Sequence, residues 1–150
     1  MGGGGPEATR LPLFSFLMAL PDFHKDFRLH SLHHAKEWTD TTHTSASIDT
    51  LGEHSICFLI DCGVVSGTVD FYLEESSDDG SSDTWTKITG SDMPQVSSSN
   101  QSKRIRVLLN SRERYLRAKL VVAGGDSFVS AIALSQPTNT TQATACDTNI

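Results

Sequence analysis

The chain has 150 residues, of which 37% are apolar and 20% are charged, and its formal net charge is −6. This length allows one domain with a single hydrophobic core. The acidic balance argues against a nucleic-acid partner, because affinity for phosphates comes mostly from lysine and arginine side chains.

The first 46 residues predict an extended arm. Residues 1–10 are too rich in glycine to fold alone. The apolar run from Leu11 to Leu20 is too short to span a bilayer, and no small-residue cleavage site follows it, so we expect no membrane partner. Aromatic and basic residues follow without a clear period, and the pattern allows a short helix from Ser31 to Trp38 with Ser31 as its cap.

An apolar but aperiodic arm is expected to pack against its own domain or against a neighbouring subunit. Its aromatic side chains are the expected anchors, because aromatic residues dominate interface energetics. These candidate partner-binding residues are Phe14, Phe16, Phe23, Phe27 and Trp38.

The central part of the chain predicts strands. Two apolar runs on either side of Gly63 and Gly67 alternate with a period of two, so each can present one face to a core. The inward residues expected from this parity are Ile56, Phe58, Ile60, Val69, Phe71 and Leu73. Seven strands are predicted, at residues 47–51, 54–62, 67–75, 84–89, 103–109, 114–123 and 127–135. The expected fold class is all-β, an antiparallel β-sandwich or jelly-roll-like body of about seven strands.

Three segments follow from this pattern: an N-terminal arm at residues 1–46, a β-sandwich domain at 47–137 and a polar C-terminal tail at 138–150. The polar segment 91–102 is expected to be a loop that crosses between the sheets. Basic residues cluster between Lys103 and Lys119, and strand alternation places most of them on a solvated or partner-facing surface.

The cysteines are expected to be free thiols. Cys57 and Cys62 have opposite parity within one predicted strand, so they point to opposite faces and cannot form a disulfide with each other. Cys146 lies in the polar tail. Free thiols are usual in a reducing compartment.

Neither of two candidate metal-binding stretches predicts a metal site or another cofactor. The histidines of the arm lack a framework that would make three or four ligands converge on zinc; they are His24, His30, His33, His34 and His43. The acidic loop does not have the ligand spacing of an EF-hand; its carboxylates are Glu74, Glu75, Asp78, Asp79 and Asp83. Within that loop, Ser76, Asp78, Gly80 and Trp85 resemble the Asp-box hairpin of sialidases, although Trp85 comes two residues late.

The sequence does not predict an enzyme. His54 is the one histidine in the predicted β region, and no nucleophile motif such as G-x-S-x-G accompanies it. No glycine-rich phosphate loop precedes a helix. A hydrolase that uses His54 with a nearby serine is the weakest of the alternatives.

Three stretches in order resemble small β-rich proteins encoded among the head genes of tailed bacteriophages: SIDTLGEHSICFLIDCG, VDFYLEESSDDGSSDTWTKI and SRERYLRAKLVVAGGDSFVSAIALSQP. The resemblance covers Ile48 to Pro137, about 90 of the 150 residues. It implies a virion structural protein, a capsid decoration or cement protein made in the host cytoplasm and bound outside the shell. The implied partners are the major capsid protein and copies of the chain itself.

Two alternatives stay open at this point. One is a structural protein of the neck or tail, since the long arm and the longer acidic loop depart from the family pattern. The other is a carbohydrate-binding module that uses Trp85, Tyr72 and the acidic loop on an exposed surface.

Overall fold

The computed structural model describes residues 26–138, which form nine β-strands. The strands are β1 (Arg28–Trp38), β2 (Thr42–Thr44), β3 (Ile48–Asp49), β4 (Glu53–Val65), β5 (Thr68–Ser76), β6 (Thr86–Lys87), β7 (Gln101–Leu108), β8 (Tyr115–Ala123) and β9 (Ser127–Pro137). All strand pairs are antiparallel. They build a four-stranded sheet with the order β1-β9-β4-β7 and a five-stranded sheet with the order β2-β8-β5-β6, in which β3 also pairs with β8.

The core lies between the two sheets. Alternation sends one face of each central strand inward, as the period of two requires. It is unbroken in β8 and β9 and is interrupted once near an end of β5 and near the start of β4. Phe58 and Phe71 come from opposite sheets and meet in this core with ring centroids 6.5 Å apart. All six residues whose parity predicts burial are at most 2% exposed. The all-β sandwich is therefore confirmed, with nine strands where the sequence predicts about seven.

All seven predicted strands are present, with ends displaced by a few residues. The predicted crossing loop is also present, since residues 88–100 connect β6 in one sheet to β7 in the other, although residues 101 and 102 of the predicted loop already belong to β7. Part of this connection runs beside β5, because the Val69 and Val96 backbones exchange hydrogen bonds of 2.8 and 2.9 Å. Met93 and Val96 are buried there and extend the core.

The helix expected from Ser31 to Trp38 is wrong. These residues belong to β1, which pairs with β9 from Arg28 opposite Ser135 to Trp38 opposite Ser127. A helix would satisfy its hydrogen bonds internally, whereas this segment uses them to extend a sheet and to bury Leu32 and His33 against the core.

Residues 28–44, which the sequence places in the arm, thus contribute β1 to the four-stranded sheet and β2 to the five-stranded sheet. Within the described residues, the sheets therefore begin at Arg28, inside the segment 1–46 that the sequence predicts as the arm. Residues 1–25 of the predicted arm, and the predicted tail after Thr138, lie outside the described residues.

Candidate interaction surface on the four-stranded sheet

The outer face of the four-stranded sheet carries an apolar centre. Strand register puts Leu29, Leu134 and Cys57 side by side in one row across β1, β9 and β4. The next row holds Ile132 beside Leu59. These side chains point away from the core, because they alternate with the buried residues of the same strands. Leu29 is 67% exposed and Ile132 is 38% exposed.

Arginines line one side of this apolar centre. On β7, Arg106 pairs with Cys57 and Arg104 pairs with Leu59, so each apolar row ends in a guanidinium group. Leu108, on the same face of β7, is 53% exposed. An apolar centre with an arginine margin has the composition of a protein interface.

A concavity of about 350 Å³ lies on this face at the β7 side. Leu59 and Ile132 contribute its apolar surface, while Arg104 lies on its margin. At one end the Ser102 hydroxyl donates a 2.6 Å hydrogen bond to the Asp61 carboxylate. The concavity is therefore apolar in the middle and polar at its ends, as recognition surfaces are.

Arg104 and Arg106 differ from the other arginines of the described segment. Four arginines in residues 26–138 form ion pairs with carboxylates: Arg28 with Glu53, Arg112 with Glu75, Arg114 with Asp49, and Arg117 with Glu74. Arg104 and Arg106 have no carboxylate partner among the same residues. In a chain of net charge −6, these two guanidinium groups lie beside an apolar surface with no carboxylate paired to them in residues 26–138.

The acidic loop between β5 and β6 is held together by its own side chains. The Asp78 carboxylate accepts backbone hydrogen bonds from Ser81, Ser82 and Asp83 at 2.7–3.1 Å. The Ser76 hydroxyl accepts one from Gly80 at 2.8 Å. The Asp78 pKa is lowered, because these backbone donors outweigh the opposing effect of desolvation. The Asp78 carboxylate therefore stabilises the turn through these backbone hydrogen bonds.

The loop also brings together the four residues that resemble an Asp box. Gly80 has a φ of +79° and lies directly against the Trp85 indole, so closely that a Cβ at Gly80 would be 2.3 Å from Nε1. The guanidinium carbon of Arg117 lies over the same indole, 4.3 Å from the ring centroid. The later position of Trp85 in the sequence is thus compatible with a packed Asp-box-like turn.

This packing covers the ring faces of Trp85 and Tyr72 on which a sugar ring would stack. Arg117 covers the Trp85 ring, and the Lys87 ammonium group lies 4.4 Å from the Tyr72 ring centroid. Arg117 is held by Glu74 through a 2.6 Å ion pair. A glycan that stacks on either ring would have to displace a cation.

The histidines of β1 and β2 close one edge of the sandwich. The Trp38 ring lies between His33 and His43, with centroid distances of 4.9 and 4.7 Å. Burial lowers the His33 pKa to about 4, and repulsion from His43 adds to this effect. His30 forms a 2.9 Å hydrogen bond with Ser135. Among residues 26–138 no three His, Cys, Asp or Glu side chains are placed to bind a metal ion.

Only two of the five proposed aromatic anchors lie in the described segment. Phe27 directly precedes β1 and is half-buried. Trp38 packs against the core and its Nε1 donates a 3.0 Å hydrogen bond to the Val129 carbonyl, so this side chain has a place within the fold. Phe14, Phe16 and Phe23 lie outside the described residues.

The remaining candidate functional residues, Cys57, Cys62 and His54, do not form a common site. Cys57 is on the outer face and Cys62 is in the core, so the predicted opposite orientation is confirmed. Burial and the nearby Asp61 raise the Cys62 pKa to about 11. His54 is exposed, and its imidazole forms no hydrogen bond with a serine or cysteine in the described part of the chain.

The sequence pattern predicts the basic cluster on a strand face but does not predict the apolar centre beside it. The available signal was that the runs around Leu59 and Ile132 are apolar at both parities, whereas a strand with one solvated face should alternate. No helix in residues 26–138 is long and apolar enough to cross a membrane.

No protein-family model matches this chain, and no curated protein sequence matches it significantly. Solved structures with a similar backbone include the SPBc2 prophage-derived protein YomS (TM-score 0.44, 11% identity, covering 73% of this chain and 94% of YomS). A structure from Bacillus endospore appendages, described as a novel family of disulfide-linked pili, has a TM-score of 0.44 at 9% identity and covers 76% of this chain and 90% of the other. PirA has a TM-score of 0.42 at 11% identity, with coverages of 71% and 96%. These identities are too low to transfer a function. The chain is a small, β-rich sandwich protein.

Proposed function

We propose that the chain is a non-enzymatic structural protein of a tailed-phage particle, a decoration protein that binds the major capsid protein and stabilises the shell. The observation that carries the proposal is the outward apolar centre of the four-stranded sheet, with Leu29, Leu59, Ile132 and Leu134 bounded by arginines. The resemblance of residues 48–137 to phage head proteins supplies the class of partner.

Physical reasoning favours a binding role for this face. Contiguous apolar surface on a sheet is costly to leave in water, at about 25 cal/mol for each Å². A shell subunit that covers the face would recover that free energy at many equivalent positions of the particle. The apolar segment Leu11–Leu20 precedes β1 in the chain, and β1 carries Leu29 on the outer face of the sheet. We expect this segment to add contact area with the shell.

The location at the virion surface and the assembly into homo-oligomers on the capsid are parts of the same proposal. The carbohydrate-binding alternative is less well supported, because cations cover the Trp85 and Tyr72 rings. A neck or tail position would use the same face and differs only in the partner.

Co-sedimentation of the purified protein with shells that lack it would test the proposal. We expect saturable binding of the full chain, and a loss of at least about tenfold in affinity for the double variant Leu59→Ser, Ile132→Ser. Thr86→Ser, on the other sheet, is the control and should bind normally. Absence of binding to shells by the folded full chain would refute the proposal.

A pair of N-terminal truncations tests how much the arm contributes to shell binding. Removal of residues 1–25 leaves β1 and β2 in place, whereas removal of residues 1–45 would delete both strands. We expect the shorter deletion to keep its β-sheet circular dichroism and to bind shells more weakly. Unchanged shell binding would end the proposed role of the arm while leaving that of the sheet face.

A further inference from the structure

The edges of the two sheets are protected unequally. At one end of the four-stranded sheet, β1 carries two register shifts. The five-stranded sheet ends in β2 and β6, which are three and two residues long. Short strands and irregular register are two of the means by which proteins prevent another strand from pairing.

β7 is different. It pairs with β4 through eight consecutive residues without a register shift, from Gln101 opposite Cys62 to Leu108 opposite Ser55. It is also the last strand of its sheet, so its other backbone edge has no strand partner in residues 26–138. Eight residues offer a straight edge of about 26 Å for pairing.

Concave surfaces lie on both sides of this edge. The concavity on the outer face is the one lined by Leu59, Ile132 and Arg104. On the inner side, a second concavity of about 310 Å³ separates β7 from the segment 88–91 and is lined by Ile105 and Val107. The side chains of an added strand would therefore find space on each face.

We propose that β7 binds an extended segment of a partner protein by strand addition, and that this segment carries carboxylates two residues apart with an apolar residue between them. The two carboxylates would face Arg104 and Arg106, which lie on the same side of β7 and have no carboxylate partner among the described residues. The apolar residue would point to the other side, beside Ile105 and Val107. Directly opposite charges on neighbouring strands stabilise pairing.

Neither a second copy of the chain nor its own terminal segments are suitable as the strand added to β7. Antiparallel pairing of β7 with β7 of a second copy about Ile105 would place Arg104 of each copy opposite Arg106 of the other, and like charges across a strand pair repel. The terminal segments are also poor ligands: residues 1–25 contain only Glu7 and Asp22 as acids, and residues 139–150 contain only Asp147. Neither segment can supply two carboxylates at alternate positions. The inference concerns the edge of β7 and does not depend on whether the partner belongs to a capsid.

Fluorescence anisotropy with a labelled eight-residue peptide of alternating glutamate and valine tests this proposal on the full chain. We expect saturable binding that weakens with added salt, since exposed charge pairs are screened. Arg104→Gln with Arg106→Gln should lower the affinity about tenfold or more, whereas Lys36→Gln, on the opposite edge of the same sheet, should leave it unchanged. Equal binding by the arginine variant and the wild type would overturn the proposal.

Two further measurements separate strand addition from simple charge attraction. A peptide with alternate backbone nitrogens methylated keeps its glutamates but cannot donate hydrogen bonds along one edge, and it should bind at least about tenfold more weakly. Hydrogen exchange of the wild-type protein should show new protection at residues 101–108 when the unmodified peptide binds. Equal affinity of the methylated peptide, no new protection at β7, or dimerisation of the free chain through β7 would each overturn the proposal.

Discussion

The imidazole of His33 meets the indole of Trp38 edge-on, with ring centroids 4.9 Å apart. His33 is only 2% exposed, and His43 approaches Trp38 from the five-stranded sheet. The contact joins the two sheets at the edge formed by β1 and β2. It also places a titratable group where ionisation is unfavourable.

We therefore expect the protein to lose stability in mild acid. Burial lowers the folded pKa of His33 to about 4, from an ordinary value of 6.5, so the folded state favours the neutral ring. The contribution of His33 to the free energy of unfolding is greatest above pH 6.5 and is lost as the pH falls from 6.5 towards 4. The loss amounts to about 3 kcal/mol at most. Denaturant unfolding across that range should show a smaller loss for His33→Gln than for the wild type. The same pH slope in both proteins would contradict this assignment.

A second prediction concerns the ion pair that joins the start of β1 to β4. Arg28 Nη1 lies 2.8 Å from Glu53 Oε1, and the Glu53 side chain is 1% exposed while that of Arg28 is 53% exposed. Arg28→Ala leaves a buried carboxylate without its cation, so we expect a loss of about 1–3 kcal/mol in the free energy of unfolding, less than for a fully buried pair. Urea denaturation measures the loss.

The double variant Arg28→Ala, Glu53→Gln provides the control for this pair. Removal of the buried charge should restore part of the lost stability. If the double variant is no more stable than Arg28→Ala, the carboxylate of Glu53 does not depend on Arg28.

The third prediction uses two glycines with the same backbone conformation. Gly80 and Gly90 both have φ of +79°, but a Cβ at Gly80 would lie 2.3 Å from Trp85 Nε1, while one at Gly90 would meet nothing within 4 Å. Gly90→Ala should cost about 1 kcal/mol for the left-handed conformation alone. Gly80→Ala should cost about 2–3 kcal/mol, since the indole must also move.

Thermal unfolding of both glycine variants distinguishes the two contributions. In a background of Trp85→Ala, the extra cost at Gly80 should disappear and the two substitutions should become equal. Equal costs at Gly80 and Gly90 in the wild-type background would show that the indole does not pack on the turn.

The fourth prediction separates the two cysteines of β4. Cys57 lies half-exposed on the outer face beside Leu134 and Arg106, whereas Cys62 is buried and its pKa is raised to about 11. In a Cys146→Ser background, a maleimide at neutral pH should label Cys57 and leave Cys62 unmodified until the protein unfolds. Rapid labelling of Cys62 in the native protein, detected by peptide mass spectrometry, would contradict this arrangement.

Local pattern alone was enough to predict the body of the domain. Burial of Phe58, Phe71 and Leu73 follows from parity, because successive strand residues must point to opposite faces. The turns at Gly67 and Gly124 separate strands that are present with nearly the predicted ends, whereas Gly63, also expected at a break, lies within β4. The opposite orientation of Cys57 and Cys62 follows from the same geometry.

The first strand shows where local pattern is insufficient. In Arg28–Trp38 the histidines, lysine and serine give no alternating signal, and two register shifts interrupt what periodicity there is. These residues form a strand because β9 offers them a backbone edge and because Leu32, His33 and Trp38 pack against the core. The β9 residues that pair with β1 lie about 90–107 positions further along the chain. No window of neighbouring residues contains that information.

The fold class, the inward faces of the central strands and the basic character of the segment after Lys103 follow from the order of residue types along the chain. The arrangement of the strands is what puts Arg104 and Arg106 at the ends of two apolar rows and makes β7 an edge strand among the described residues. The physical reason is that parity assigns a side chain to a face, whereas strand order decides which faces and edges have neighbours.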